Sequence, residues 1–135
     1  MTGMAPGTRH LGIWIDRPAA DVYDYACQPA NLPHWAAGLG SSIELIEGQW
    51  VAQSPLGRVV VEMTEPNHYG ILDHWVTLAD GRRFYNPMRV IPAAQGCEVV
   101  FTLRRQPEAG DAEFDRDAEA VATDLATLKR LLETR

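Results

Sequence analysis

Cysteine occurs only twice in this chain, at Cys27 and Cys97, seventy residues apart and without CxxC spacing. That excludes a disulfide framework, a zinc ribbon and a dithiol redox centre. Reduced, buried thiols in a cytoplasmic protein are expected, with a disulfide as the alternative. Basic residues are also scarce: twelve face eighteen acidic ones, for a net charge of −6, and no Lys/Arg run occurs. Nucleic acid is therefore not an expected partner. No apolar run approaches the roughly 18 residues of a membrane span. The opening MTGMAPGT has neither a basic start nor an apolar segment, so residues 1–8 read as a flexible tail and not as a signal peptide. GxSxG, glycine-rich phosphate loops and His/Cys/Asp clusters at ligand spacing are missing, so no metal and no cofactor is expected.

What remains is one domain's worth of chain. The 135 residues are 46% apolar, which suits a single core over residues 9–135. Residues 9–16, RHLGIWID, alternate as a half-buried strand. Pro18 opens a helix that should run to about Gln28, and residues 31–39 form a second, proline-broken helical piece. From Ser42 the period becomes two. SIELIEG, QWVAQS, GRVVVEMTE, GILDHWVTL, RRFYNPMRVI and CEVVFTLRR read as six strands. The tail from Asp111 to Thr134 is a long helix, with Phe114, Ala118, Val121, Leu125, Leu128 and Leu132 in one stripe. Acids crowd its start and bases its end, as the helix dipole prefers. Segregated elements with short-linked strands predict an α+β fold, in which a seven-stranded antiparallel sheet is covered by the long helix.

The turn Ala79-Asp80-Gly81 sets a register. As a three-residue loop with Gly81 left-handed, it pairs Leu78 with Arg82, Val76 with Phe84, His74 with Asn86 and Leu72 with Met88. A two-residue turn would instead set Arg83 and Arg89 beside Leu72 and Leu78, so the first register is preferred. Val90, Met88 and Phe84 then alternate in step with Val99, Phe101 and Leu103. His74 and Asn86 consequently face each other on an otherwise apolar surface. Unpartnered burial there would cost about 1–3 kcal/mol, so the two either satisfy one another or face a water- or ligand-filled space.

With these residues placed, the segments I13-W-I-D-R-P-A-A-D-V-Y-D-Y25, N31-L-P-H-W35 and D124-L-A-T-L-K-R-L-L132 resemble the SRPBCC or START-type helix-grip superfamily across about residues 9–134. More narrowly, HWV at 74–76, NPMRV at 86–90 and EVVFTLRRQP at 98–107 resemble small bacterial polyketide-cyclase-like proteins. The resemblance implies a curved sheet gripping the long helix, with the two short helices closing one end of an apolar cavity. Trp35 would stand at its mouth or rim. This chain is shorter than many such proteins, so the cavity is expected to be small or partly filled.

The leading function on this reading is binding of a small hydrophobic molecule, such as a polyketide, lipid or aromatic metabolite. His74 and Asn86 would be the polar anchors, and Trp35, Phe84, Met88 and Phe101 the apolar contacts. A cyclase- or dehydratase-like enzyme using His74 for proton transfer is the alternative. A third reading is a protein-interaction module with a collapsed cavity, pairing as a homodimer through the outward Trp14 and Trp75. Tyr85 and Arg89 fall on the outer face. Cys27 lacks a basic neighbour that would make it a nucleophile, and the carboxylates at 111–119 read as a solvated face.

Overall fold

The computed structural model describes residues 7–135. Positions 1–6 of the expected tail lie outside the described residues, and β1 begins at Thr8 and runs to Ile15. Pro18, extended at φ −56°, caps α1 (Ala19–Ala26) by accepting the N–H groups of Asp21 and Val22 on its carbonyl. Pro29 then opens a 3₁₀ turn (Pro29–Asn31) that leads into α2 (Leu32–Trp35). Pro33 sits in the first turn of α2, where no backbone donor is lost. A second 3₁₀ turn covers Ala37–Leu39. The strands follow as β2 (Ile43–Ile46), β3 (Gln49–Ser54), β4 (Gly57–Met63), β5 (His74–Thr77), β6 (Arg83–Asn86), β7 (Met88–Pro92) and β8 (Cys97–Arg104). The long helix α3 spans Asp111–Glu133.

The fold is α+β, with curved antiparallel sheets and a long C-terminal helix. One expectation needs correction: the strands do not form a single seven-stranded sheet. Among the described residues eight strands make two ladders, β1-β8-β7 and β2-β3-β4-β5-β6. The break falls inside RRFYNPMRVI, at Pro87, between β6 and β7. Proline has no N–H for a ladder bond. Asp73 would face Pro87 as a non-hydrogen-bonded pair in this register; its carbonyl lies on the β4 side and accepts the Thr64 N–H and hydroxyl, while the missing proline N–H belongs to the side facing β8. Phe84, on the β6 side of the break, does not continue into the β7–β8 pairing. The chain is stitched across the corner by Thr102 N–H donating to Pro87 O at 2.9 Å and Leu72 N–H donating to Met88 O at 2.8 Å.

Elsewhere the register is the expected one. His74 pairs with Asn86, Val76 with Phe84, Met88 with Phe101 and Val90 with Val99. Gly81, at φ 93°, takes the left-handed place in the Leu78–Arg82 loop that a side chain would resist. The stripe of α3 packs along β1 and against α2, burying Phe114, Ala118, Leu125, Leu128 and Leu132. Burying each of those leucines is worth about 1.5–3 kcal/mol. The main core joins that stripe to Ile15, Val22, Leu72, Val90 and Val99. A smaller cluster of Ala52, Val59 and Leu78 lies toward the β5–β6 turn, with Val76 and Phe84 against it. Cys97 is buried and Cys27 only half-buried, and both are free thiols.

Candidate functional site

The pleat puts alternate residues of β5 on opposite faces. His74 and Val76 point toward α3, while Asp73 and Trp75 point away, and the two faces carry different chemistry.

On the inner face a cavity of about 220 Å³ lies among α2, the following turn, the β5–β6 hairpin, β8 and α3. Trp35, Val76, Phe101, Val121 and Leu125 supply apolar wall, and His74, Asn86 and Asp124 supply polar groups. His74 is 8% exposed. Its Nδ1 lies 3.0 Å from the Leu72 carbonyl, which can only accept, so Nδ1 carries the proton. That leaves Nε2 as a lone pair, 3.4 Å from the Asn86 amide nitrogen, which donates to it weakly. Burial holds the imidazole below its ordinary pKa, against the opposing pull of the Leu72 carbonyl and Asp73. His74 is therefore a neutral acceptor at pH 7. Its ring meets Phe101 edge-on at 6.1 Å.

Asp124 comes from α3. Its Oδ1 accepts the Ala37 N–H at 3.2 Å, and no cation pairs with it among the described residues. Burial pushes its carboxyl up to about 6, partly offset by that one hydrogen bond. The Trp35 indole N–H is buried without a partner among the described residues, an arrangement that costs about 1–3 kcal/mol.

Of the residues expected at a site, His74, Asn86, Trp35 and Phe101 come together on this wall. Trp35 is walled in, 7% exposed, and does not stand at a rim. Met88 and Phe84 share the inward face but not the cavity, which corrects their expected place. Met88 follows the corner at Pro87 and is sealed in the main core. Phe84 lies toward the turn with the smaller cluster, under the Arg82 guanidinium at 5.9 Å. Asp124 was not expected here. Its one signal is position, three residues after Val121 and four before Leu128, on the flank of the apolar stripe.

On the outer face Asp73 is buried and collects four donors. Tyr85 OH donates at 2.6 Å, Met88 N–H at 2.9 Å, and Arg89 through Nε at 3.2 Å and Nη2 at 3.0 Å. Burial alone would raise its carboxyl, but Arg89, Tyr85 and the Met88 N–H outweigh it and hold it below the ordinary value. This is a structural bracket: the side chain receives the N–H that follows Pro87. Trp75 lies beside it, covered by the Tyr85 ring at 4.8 Å and the Arg83 guanidinium at 4.3 Å.

A larger open groove of about 560 Å³ lies between α1 and the 66–70 loop, far from His74 and Asn86 in its lining. The loop's central side chain is already spent. Asn67 Oδ1 accepts from the Tyr69 and Ile71 N–H groups, and its Nδ2 donates to the Glu65 and Ile71 carbonyls. Among the described residues no three His, Cys, Asp or Glu side chains group as a metal site. No helix among them is long and apolar enough to cross a membrane.

A curved antiparallel sheet gripping one long C-terminal helix, with short helices after the first strand, is the START-type helix-grip fold. Solved structures share it at low identity. A START superfamily protein from Mycobacterium smegmatis matches with a TM-score of 0.70 and 10% identity over 94% of this chain and 97% of its own. Ara h 8.0201 gives 0.69 and 10% over 95% and 98%. Truncated norcoclaurine synthase from Thalictrum flavum gives 0.63 and 12% over 93% and 92%. No protein-family model and no curated protein matches the sequence.

Proposed function

We propose that the protein binds a small hydrophobic molecule in the cavity between the sheet and α3, with His74 and Asn86 as polar anchors. One observation carries this reading. A space of about 220 Å³ with apolar walls holds an imidazole nitrogen, an amide and a carboxyl whose internal partners are few and long, at 3.2–3.4 Å. Pockets of this make-up, mostly apolar with few convergent polar groups, are ligand sites by default. Native mass spectrometry of gently purified protein is the first test, and a co-purifying mass is the expected result. Titration of candidate ligands against His74→Ala and Asn86→Ala tests the anchors. Affinity should fall about ten-fold for the loss of one buried hydrogen bond. Unchanged affinity for every ligand would remove both from the role.

The geometry of His74 supports a second reading, proton transfer in a cyclase- or dehydratase-like reaction. A neutral imidazole whose Nε2 meets only the weak 3.4 Å contact from Asn86 is a competent base. A bell-shaped pH–rate profile that disappears in His74→Ala is the expected sign. The polyketide-cyclase-like reading belongs here, and the likeness to norcoclaurine synthase, by name an enzyme, supports it at the level of fold. A protein-interaction role needs a collapsed cavity, and the space found stands against it. Sedimentation velocity decides whether the outward Trp14 and Trp75 pair two copies.

A further inference from the structure

The size and polarity of the cavity narrow its ligand, an inference that rests on the binding reading above. A protein cavity of about 150 Å³ accepts one benzene. On that scale the 220 Å³ here holds about nine non-hydrogen atoms. A long fatty acyl chain or a fused polycyclic product does not fit, whereas one ring with a short substituent does. Trp35 and Phe101 are the aromatic walls against which such a ring packs.

The polar groups ask for a donor. His74 Nε2 is a lone pair because Nδ1–H is committed to the Leu72 carbonyl. The Asp124 carboxyl receives only the Ala37 N–H. Among the described residues, Asn86 and the unpartnered Trp35 indole bring N–H groups to the wall. No Lys or Arg lines the cavity, so an acidic ligand would set its charge against Asp124 with nothing to offset it. A hydroxyl answers both demands: its hydrogen donates to the carboxylate, and its oxygen accepts from an amide.

We propose that the cavity takes an uncharged, hydroxyl-bearing single-ring compound of about nine non-hydrogen atoms, with its O–H donating to Asp124 and its ring against Trp35 and Phe101. Asp124 is then a specificity-determining residue contributed by the gripped helix.

The test is calorimetric titration of wild type and Asp124→Leu with para-ethylphenol, its hydroxyl-free isostere para-ethyltoluene, para-ethylbenzoate and palmitate. Wild type should prefer the phenol over the toluene by about ten-fold to a hundred-fold, the range for one hydrogen bond to a charged group. It should reject the benzoate and palmitate. Asp124→Leu should lose the preference while binding the toluene at least as well. Equal affinity for phenol and toluene in wild type, or a preference that survives Asp124→Leu, overturns this inference and leaves the binding reading standing. Binding of palmitate in place of the ring compounds overturns the size argument alone. Binding of none of the four removes the binding reading as well. If Asp124→Leu does not fold, Asp124→Asn replaces it. Its uncharged amide oxygen keeps the Ala37 N–H, and a preference that does not weaken overturns the proposal.

Discussion

Asp124 carries a cost that can be measured without any ligand. Its carboxyl moves from 3.8 to about 6 on folding, so the folded state holds the proton more tightly than the unfolded chain. The contribution of this group to stability is then most favourable below pH 4, declines as the pH rises from about 4 to 6, and is level above that. The shift bounds the loss at about 3 kcal/mol, and solvent screening of this partly exposed group reduces it to on the order of 1 kcal/mol. Asp124→Asn should therefore raise the unfolding free energy from urea titration at pH 7–8 by that amount and change little at pH 4. The residue could not be found from periodicity, because a stripe is defined by its apolar members and Asp124 is only its neighbour. His74 and Asn86 were legible, because a three-residue turn with one left-handed glycine fixes which side chains oppose each other.

The corner at Pro87 is the feature of the elements that strand patterns do not reveal. RRFYNPMRVI alternates correctly on both sides of the proline, so its period is that of one strand. The missing N–H is visible in the sequence, but the group that compensates is not. Asp73 reads as an outward polar residue between Leu72 and His74, and only the folded chain brings Tyr85, Met88 N–H and Arg89 to it. Asp73→Ala leaves the Met88 N–H and Tyr85 OH without their acceptor and should cost about 2–4 kcal/mol in urea unfolding. Because the native carboxyl sits below its ordinary value, its stabilisation is present above pH 4 and is lost as the pH falls below that. The gap between wild type and Asp73→Ala should accordingly close in acid.

Across the whole molecule, order is unevenly supported. The ladder β1-β8-β7 lies under α3 and shares the large core, whereas the turn end of the five-stranded ladder rests on Ala52, Val59 and Leu78. Regions with few buried apolar contacts open at lower free energy. Native-state hydrogen exchange should show slower exchange at Val90 and Val99 than at Ala52 and Val59. The α+β class and the cover by a long helix could be read from the order of elements and the single stripe on α3. The division into two ladders could not, since the alternation runs unbroken through Pro87. Phe84 and Met88 lie on opposite sides of that corner and outside the cavity.

Asp73, just before β5, and His74, its first residue, are successive and face opposite ways. The outside of the protein therefore sets the shape of its inside. Arg89, nearly half exposed, clamps Asp73 across the bend that separates β6, with its Asn86, from β7. Arg89 is absent from the cavity wall, yet Arg89→Ala should shift the Asn86 side-chain amide resonance.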